Sequence, residues 1–413
     1  MNILIRFFKY LWFDKGISLA AAWSFNQLAY AIVYPFVPIY LHKVRGMDYS
    51  LVSIIFPLLG IANIVAPVPC GWLTDRFGHQ VMMLAGQFIR GIIFFGLAVC
   101  VYLEAPFWLF AVALMLNTAI GVAFQVGSDA YLTDITQPEQ RPGYYSKIRI
   151  GYNVGWALGP MMGAFFADTP FWAFFIATGL LCMAGTFQTW FCCCRNTVSV
   201  SGRSETTQFS GESSGLMKEI FGNRRFVFLM LGNLFLMLLV SQLYSTLSVF
   251  STSSVGISSK AMGSIYSMNG TMVLALQIPL IALLKKVRMP IFMQLIAGTL
   301  LYVAGYFQLG FAGGALAIAI AVAVVTIGEI IVQPAFYTLV SNETRKGNTG
   351  RMMSVSSLTR GIGYSAGPWI GAQLYLRSNG IVLWSVLSSF AVCAAAMFLI
   401  SALFRSSNPE TSA

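Results

Sequence analysis

Gly71-Trp72-Leu73-Thr74-Asp75-Arg76-Phe77-Gly78-His79-Gln80 joins two long apolar stretches. An acid, a base and two glycines are packed into a turn between runs that hold almost no charge. Gly78 suits a tight turn, and Gly71 permits close packing because it has no Cβ. Asp75 can face Arg76 or the positive N-terminal end of another helix.

The same contrast extends along the chain. Its 413 residues are 57% hydrophobic and only 9% charged. A soluble domain carries about 25% charged residues, so lipid must cover most of this surface. With roughly 20 apolar residues per span, the sequence divides into twelve blocks. They lie near 17–41, 50–73, 80–103, 106–132, 143–167, 170–194, 226–250, 260–284, 290–310, 314–340, 352–376 and 380–404. The blocks are continuous apolar runs, not alternating ones, which excludes membrane strands. The expectation is an all-α membrane protein of twelve transmembrane helices in two six-helix bundles.

Basic residues set the orientation. If the N-terminus is cytoplasmic, Lys43, Arg45, Lys260 and Arg377 fall on the outer side, and Arg90 and Arg360 lie within blocks. The rest of the 25 Lys and Arg fall on the inner side. That bias places both termini in the cytoplasm. A basic inner face beside anionic lipid accounts for the net charge of +11 without nucleic acid. Residues 1–16 carry bases, aromatics and Asp14, and no cleavable signal peptide is expected.

The seven cysteines form no C-x-x-C pair. Cys70, Cys100, Cys182 and Cys393 sit in blocks as small hydrophobes. Cys192-Cys193-Cys194 reads either as an apolar helix end or as a metal or palmitoylation site.

Residues 195–223 are polar and rich in Ser, Thr and Gly, as in a flexible linker. They divide residues 1–194 from 224–413. Block 5 contains Gly155-x-x-x-Gly159-Pro160-x-x-Gly163. Block 11 contains Gly363-x-x-x-Gly367-Pro368-x-x-Gly371. Every matched Gly and Pro is offset by 208, as are Ser146 and Ser354. An internal repeat in a membrane chain points to a transporter whose halves rock about a midplane site. The glycines line one helix face and admit a neighbouring backbone; the prolines remove a hydrogen bond and bend the helix. Such a seam suits a sliding surface, and equally suits tight packing.

The turn at 71–80 resembles the loop 2–3 signature of the major facilitator superfamily, G-x-L-x-D-R-x-G-R-[KR]. The block 5 motif is similar to the "antiporter" signature of drug:proton antiporters within it. Gly86-Gln-Phe-Ile-Arg90 and Asp129-Ala-Tyr-Leu-Thr-Asp134 resemble segments of bacterial multidrug antiporters, and so does an acid in mid-block 10. The resemblance covers the whole chain. It implies a twelve-helix secondary transporter in which Gly71, Asp75, Arg76 and Gly78 form a conformational latch, engaging helix 11 in the outward-facing state. Two departures stand out. His79 and Gln80 replace the usual basic pair, and Asn117 takes the place of the arginine in the helix 4 signature L-x-x-R-x-x-x-G-x-G.

Charges inside the membrane are rare and cost roughly 2.5–3.5 kcal/mol each at mid-helix. Glu329, five residues before Pro334, is the one acid near a block centre. It reads either as a carboxyl that takes a proton on one side and releases it on the other, or as a structural group. Asp129 lies toward the inner end of block 4. With Arg149, or with Arg90 about 15 Å into block 3, it forms a switchable gate pair or a static one. Candidate lining residues are Asn26, Tyr30 and Tyr34 in block 1, Asn117 and Gln125 in block 4, Asn233 in block 7, and Tyr266 and Asn269 in block 8. Amides in spans also act as interhelical glue. An aromatic cavity with one acid suits lipophilic, often cationic compounds.

His42 and His79 sit at loop edges, and no metal spacing, phosphate loop or nucleophile elbow appears. No enzyme activity, cofactor or metal is expected. Transport must then draw on an ion gradient or membrane potential, about 2.3 kcal/mol per charge per 100 mV. The expected partners are a small-molecule substrate, a proton and membrane lipid. A functional monomer in the plasma (inner) membrane is expected. The function read from the residues is export of lipophilic compounds or drugs by proton antiport. Export of one metabolite or siderophore, lipid flipping, and a non-transporting receptor or sensor stand as alternatives.

Overall fold

The computed structural model describes residues 14–137, 140–165, 170–194, 222–343 and 349–404. Apart from Gly222 and Asn223, the linker expected over 195–223 lies outside the described residues. So do the side chains of Cys194 and Ser354.

The described chain is helical throughout, in twelve stretches. Helix α1 runs Lys15–Val33, then Val37–Ile39 and a wide turn at Tyr40–Val44; α2 is Tyr49–Ser53, Ile55–Val65 and Pro67–Phe77. Then come α3 (His79–Tyr102), α4 (Phe107–Ile135), α5 (Arg141–Phe165) and α6 (Phe171–Thr189, with a wide turn at Trp190–Cys194). The second half holds α7 (Arg224–Val240, continued through Ser241–Tyr244, Thr246–Val249 and Phe250–Ser254), α8 (Ser259–Lys286), α9 (Ile291–Leu309), α10 (Ala315–Asn342), α11 (Thr349–Arg377) and α12 (Gly380–Leu403). Eight of these are long and apolar enough to cross a membrane, and α2, bent 43° at Ala66, makes a ninth. Helices α1, α5 and α11 fall short by composition. They carry the polar and glycine-rich faces that turn inward. Their number and order remain consistent with the twelve blocks.

Two cores form. One is drawn entirely from residues between Phe226 and Phe398. The other is drawn from residues between Ala29 and Cys182, with Val249 and Ala372 of the second half packed into it.

The glycine seam packs within each half. A Cβ at Gly155 would stand 2.7 Å from Gln27 Cβ, and at Gly159 2.5 Å from Ala31 Cβ, both on α1. Gly363 and Gly367 approach Met237 and Ser241 of α7 in the same way, with Gly163 and Gly371 closing on Phe36 and Gln242. In this conformation the seam is tightly packed, and both helices run on through Pro160 and Pro368.

Helices α1 and α7 break at matching heights. Pro35 and Pro38 end the regular ladder of α1 between Tyr34 and Phe36. No proline marks the break in α7. There Ser241 and Gln242 both donate to Leu238 O, Ser245 donates to Ser241 O, and Ser245 adopts φ −124°, ψ −88°. Side-chain hydrogen bonds that compete for backbone partners produce it.

Helices α1, α3, α5, α7, α9 and α11 begin at the end of the bundle that carries most of the basic residues. At the opposite, far end the two halves are tied together. Lys43 Nζ donates to Thr252 O at 2.8 Å, and Gln373 Nε2 to Ser50 Oγ at 2.8 Å. Tyr49 and Tyr375 meet edge to face. Toward the basic end this packing opens. The buried residues of α8 lie between Met262 and Gly270, and none follows before Lys286. The structure is closed at the far end and open at the basic end.

Candidate functional site

The loop 2–3 turn lies at the open end. Gly78 has φ +89°, the left-handed region that glycine tolerates. A Cβ at Gly71 would meet nothing within 4 Å, so the close packing expected there is absent in this conformation. Among the described residues the ion pairs are His79–Asp134 (3.0 Å), Lys147–Asp14 (2.9 Å) and Arg225–Glu343 (3.0 Å). Asp75 and Arg76 are exposed and belong to none of them. Arg76 lies instead against the rings of Trp72 and Phe77. His79, which departs from the family's basic pair, supplies the partner of Asp134.

The expected pairing of Asp129 with Arg90 or Arg149 does not form among the described residues. Asp129 is half-buried on α4 without an ion-pair partner. Arg149 is exposed on α5 and within electrostatic range of Glu329 across the halves. Arg90 is buried on α3, where Nε donates to Asn117 Oδ1 at 3.3 Å and Nη1 donates to Asn26 Oδ1. Asn117 Nδ2 returns a bond to Arg90 O, and Gly121 leaves room for the guanidinium. The site expected to carry an arginine on helix 4 thus receives one from helix 3.

Glu329 is half-buried at the middle of α10. Gln333 Nε2 donates to its Oε1 at 3.3 Å, and Asn269 Nδ2 lies 3.5 Å from Oε2. Asn269 also donates to Thr326 Oγ1 at 2.8 Å and accepts from Tyr244 Oη at 2.9 Å. Tyr152, Tyr302 and Tyr364 stand within its electrostatic range. Gln333 and Thr326 were legible as the i+4 and i−3 neighbours of Glu329 on one helix face. The tyrosines come from α5, α7, α9 and α11, and no local spacing announces them.

In the first half a small cavity is lined by Tyr30, Tyr34, Phe56, Phe94, Leu114, Asn117 and Thr118, among others. Tyr30 and Tyr34 stack at 4.6 Å, and Tyr34 meets Phe56 edge to face at 5.8 Å. Gln125, exposed, lies seven residues beyond Thr118 on the same face of α4, and Asp129 follows it. Asn26 serves Arg90 from behind this wall.

Two expected lining residues lie elsewhere. Asn233 is buried and donates to Thr359 Oγ1 at 2.8 Å, joining α7 to α11. Tyr266 is wholly buried; its hydroxyl donates to Leu243 O at 2.7 Å and contacts Ser248 Oγ, bracing the break in α7. Both act as interhelical glue, because a buried polar group needs a partner more than it needs a cavity.

The chain can be placed among known proteins. A family model described as Major Facilitator Superfamily matches residues 19–368. An uncharacterized MFS-type transporter, YqjV of Bacillus subtilis (strain 168), is 24% identical over 377 residues, 89% of this chain and 88% of the relative. Multidrug resistance protein MdtH of Salmonella typhi is 24% identical over 347 residues, 83% of each chain. Among solved structures, an inward-facing bacterial homologue of the human lysosomal transporter Spinster aligns with TM-score 0.74 at 14% identity, covering 94% of this chain and 96% of that one. A POT family transporter bound to a thioalcohol-conjugated peptide aligns with TM-score 0.75 at 15% identity, covering 94% and 95%. These likenesses establish the shared fold. The chain is a multi-pass membrane protein, and it belongs to the major facilitator superfamily of transporters.

Proposed function

We propose that this protein exports lipophilic small molecules in exchange for protons by alternating access. The observation that carries this reading is Glu329: a half-buried carboxyl at mid-helix, touched by amides, with no base in ion-pair distance among the described residues. A carboxyl so placed is a natural proton carrier in a membrane. The basic end faces the cytoplasm by the positive-inside rule, so the structure represents an inward-open state. The bundles 1–194 and 224–413, joined by the linker 195–223, rock about the midplane. Asp75 and Arg76 make no ion pair here among the described residues and engage helix 11 when the cytoplasmic side closes. Asp129, without an ion pair among the described residues and nearer that side, passes the proton on. The aromatic lining suits lipophilic, often cationic, compounds, and the name of the MdtH relatives accords with efflux. The working unit is a monomer in the plasma (inner) membrane.

The test is pH-driven dye or drug uptake into inside-out vesicles, with native protein and Glu329→Gln. The variant is expected to lose pH-driven movement while still binding drug. Equal transport by the two would remove Glu329 from the mechanism and shift attention to Asp129.

A further inference from the structure

Two consecutive residues of α5 bear on the side chains that hold Glu329. Trp156 packs on Tyr244 of α7, with ring centres 4.8 Å apart. Ala157 packs on Gly270 of α8, where a Cβ on the glycine would stand 2.5 Å from Ala157 Cα. Tyr244 Oη donates to Asn269 Oδ1 at 2.9 Å, and Asn269 is the residue before Gly270. Both contacts join the first half to the second. Tyr244 also meets Tyr266 at 4.9 Å, and Tyr266 is pinned through Leu243 O within its own half. Of these two rings against Tyr244, only Trp156 moves with the first half.

The neighbours of Asn269 fix which way its amide is turned. Thr326 commits its one hydroxyl proton to Val322 O at 2.7 Å, so towards Asn269 it can only accept. Nδ2 therefore faces Thr326 Oγ1, at 2.8 Å, and Oδ1 faces the Tyr244 hydroxyl. The second proton of Nδ2 is left for Glu329 Oε2, 3.5 Å away. An amide so turned presents a donor to the carboxyl; the reverse turn would present an oxygen. Tyr244 is the group that opposes the reverse turn, because its hydroxyl occupies Oδ1. Rocking that draws Trp156 away from Tyr244 leaves that hydroxyl seated by Tyr266 alone.

The titratable and charged groups that face Glu329 are Arg149 and Tyr152 of α5, Tyr244 of α7, Tyr302 and Tyr306 of α9 and Tyr364 of α11. Helix α8 contributes the Asn269 amide, and α10 itself the Gln333 amide. Of the titratable groups, Tyr244 is the one whose hydroxyl bonds an amide that reaches the carboxyl. We propose that Trp156 is a positioning residue through which the first half sets the proton affinity of Glu329. Its ring seats Tyr244, Tyr244 holds the Asn269 amide in its donor-facing turn, and Asn269 supports the carboxylate. The inference rests on the reading of Glu329 as the proton carrier, and adds how the position of the bundles reaches it.

The test titrates Glu329 itself, by infrared difference spectroscopy on purified protein in lipid nanodiscs. The signal is the protonated-carboxyl band that Glu329→Gln removes, so no transport is needed. Tyr244→Phe keeps the ring and loses the hydroxyl; Trp156→Ala loses the seat. Each is expected to move the midpoint upward by about one pH unit, because the ionised form loses a donor. The double variant should move it no further than either alone, as links in one chain do. Trp156→Phe, which keeps a ring against Tyr244, should stay near the native midpoint. Unmoved midpoints in Trp156→Ala and Tyr244→Phe, or shifts that add in the double variant, would overturn the proposal. Shifted midpoints, with pH-driven export unchanged in Glu329→Gln, would sink the proton-carrier reading and leave this inference standing. Export lost in Glu329→Gln, with the midpoints unmoved, would do the reverse. A Glu329 carboxyl that never titrates would overturn both.

Discussion

Gly270 of α8 meets Ala157 of α5 across the two halves, so closely that a Cβ on the glycine would stand 2.5 Å from the alanine Cα. Gly60 of α2 and Ser365 of α11 repeat the relation, with a Cβ at Gly60 falling 2.0 Å from Ser365 Oγ. Residues 157 and 365 differ by 208, the offset of the Gly-Pro motifs. Among the contacts between the halves, these two are related by the repeat, each made by a glycine outside those motifs. Rocking between the halves must pass through these two contacts.

The two contacts differ in what a methyl group would strike. At Gly60 the obstacle is the Ser365 side chain, and the next atom, Ser365 Cα, stands at 3.1 Å. At Gly270 the obstacle is backbone. Gly60→Ala is expected to lose thermal stability, by about 1–3 kcal/mol of overpacking, and to slow transport. The second change Ser365→Gly should restore both. Gly270→Ala should fail in the same way, and Ala157→Gly should not rescue it. No rescue at Gly60, read by melting temperature and transport rate, would show that the Ser365 side chain is not the obstacle, and rescue at Gly270 would show that backbone is not the obstacle there.

The far end is closed by few polar bonds, so weakening one should shift the balance of states. Gln373→Ala removes the bond to Ser50. With a net value of about 0.5–1.5 kcal/mol per bond, the open population should rise several-fold. A membrane-impermeant maleimide should then label Ser251→Cys, buried behind the closure, faster in the Gln373→Ala background. An unchanged labelling rate would mean that this bond does not hold the closure.

Tyr266 and Tyr34 separate structure from lining. Tyr266→Phe removes the hydroxyl that bonds Leu243 O at the break in α7. It should lower stability by about 1–3 kcal/mol, the cost of an unsatisfied buried acceptor, with little change in the relative KM of different substrates. Tyr34→Ala, in the cavity wall, should alter KM values unequally with less effect on melting. Kinetics on several dyes and a melting curve decide it.

Asp14 caps α1 through Ile17 N (2.8 Å) and pairs with Lys147 (2.9 Å). Burial pushes its carboxyl up, but the bonds from Lys147 and Ile17 outweigh that and hold it below its ordinary 3.8. A depressed carboxylate contributes stability above its unfolded value and loses it as pH falls through the folded one. Asp14→Asn keeps the cap and should cost less than Asp14→Ala, whose lost cap is worth about 0.5–2 kcal/mol. The gap between native and Asp14→Asn should be full at neutral pH and close below about pH 4. Melting curves across pH check the sign.

How much was legible follows from the range of each interaction. Glu329 stood out because a charge inside an apolar run violates a local rule, and Gly78 because its turn demands a conformation that few residues adopt. The break in α7 did not, since serine and glutamine bend a helix through side-chain bonds that composition leaves ambiguous. Arg90 read as one half of an ion pair with Asp129. Asn117, 27 residues away, and Asn26, 64 residues away, claimed it instead. Asn233 and Tyr266 read as cavity lining because polar side chains in spans serve either purpose; their neighbours on other helices chose packing.

By itself, the sequence determined the quantities carried by hydrophobicity and period: a membrane chain, twelve helical stretches, a 208-residue repeat, one basic end, and a carboxyl at mid-helix. Lipid imposes these on each segment separately, because every span must satisfy its own backbone and shed its own charges. Tertiary structure alone decided which glycines join the halves, which end is open, which amides hold Arg90 and which face the cavity. Those outcomes depend on contacts such as Gly60 with Ser365, brought together only when whole bundles pack and compete for the same few polar partners.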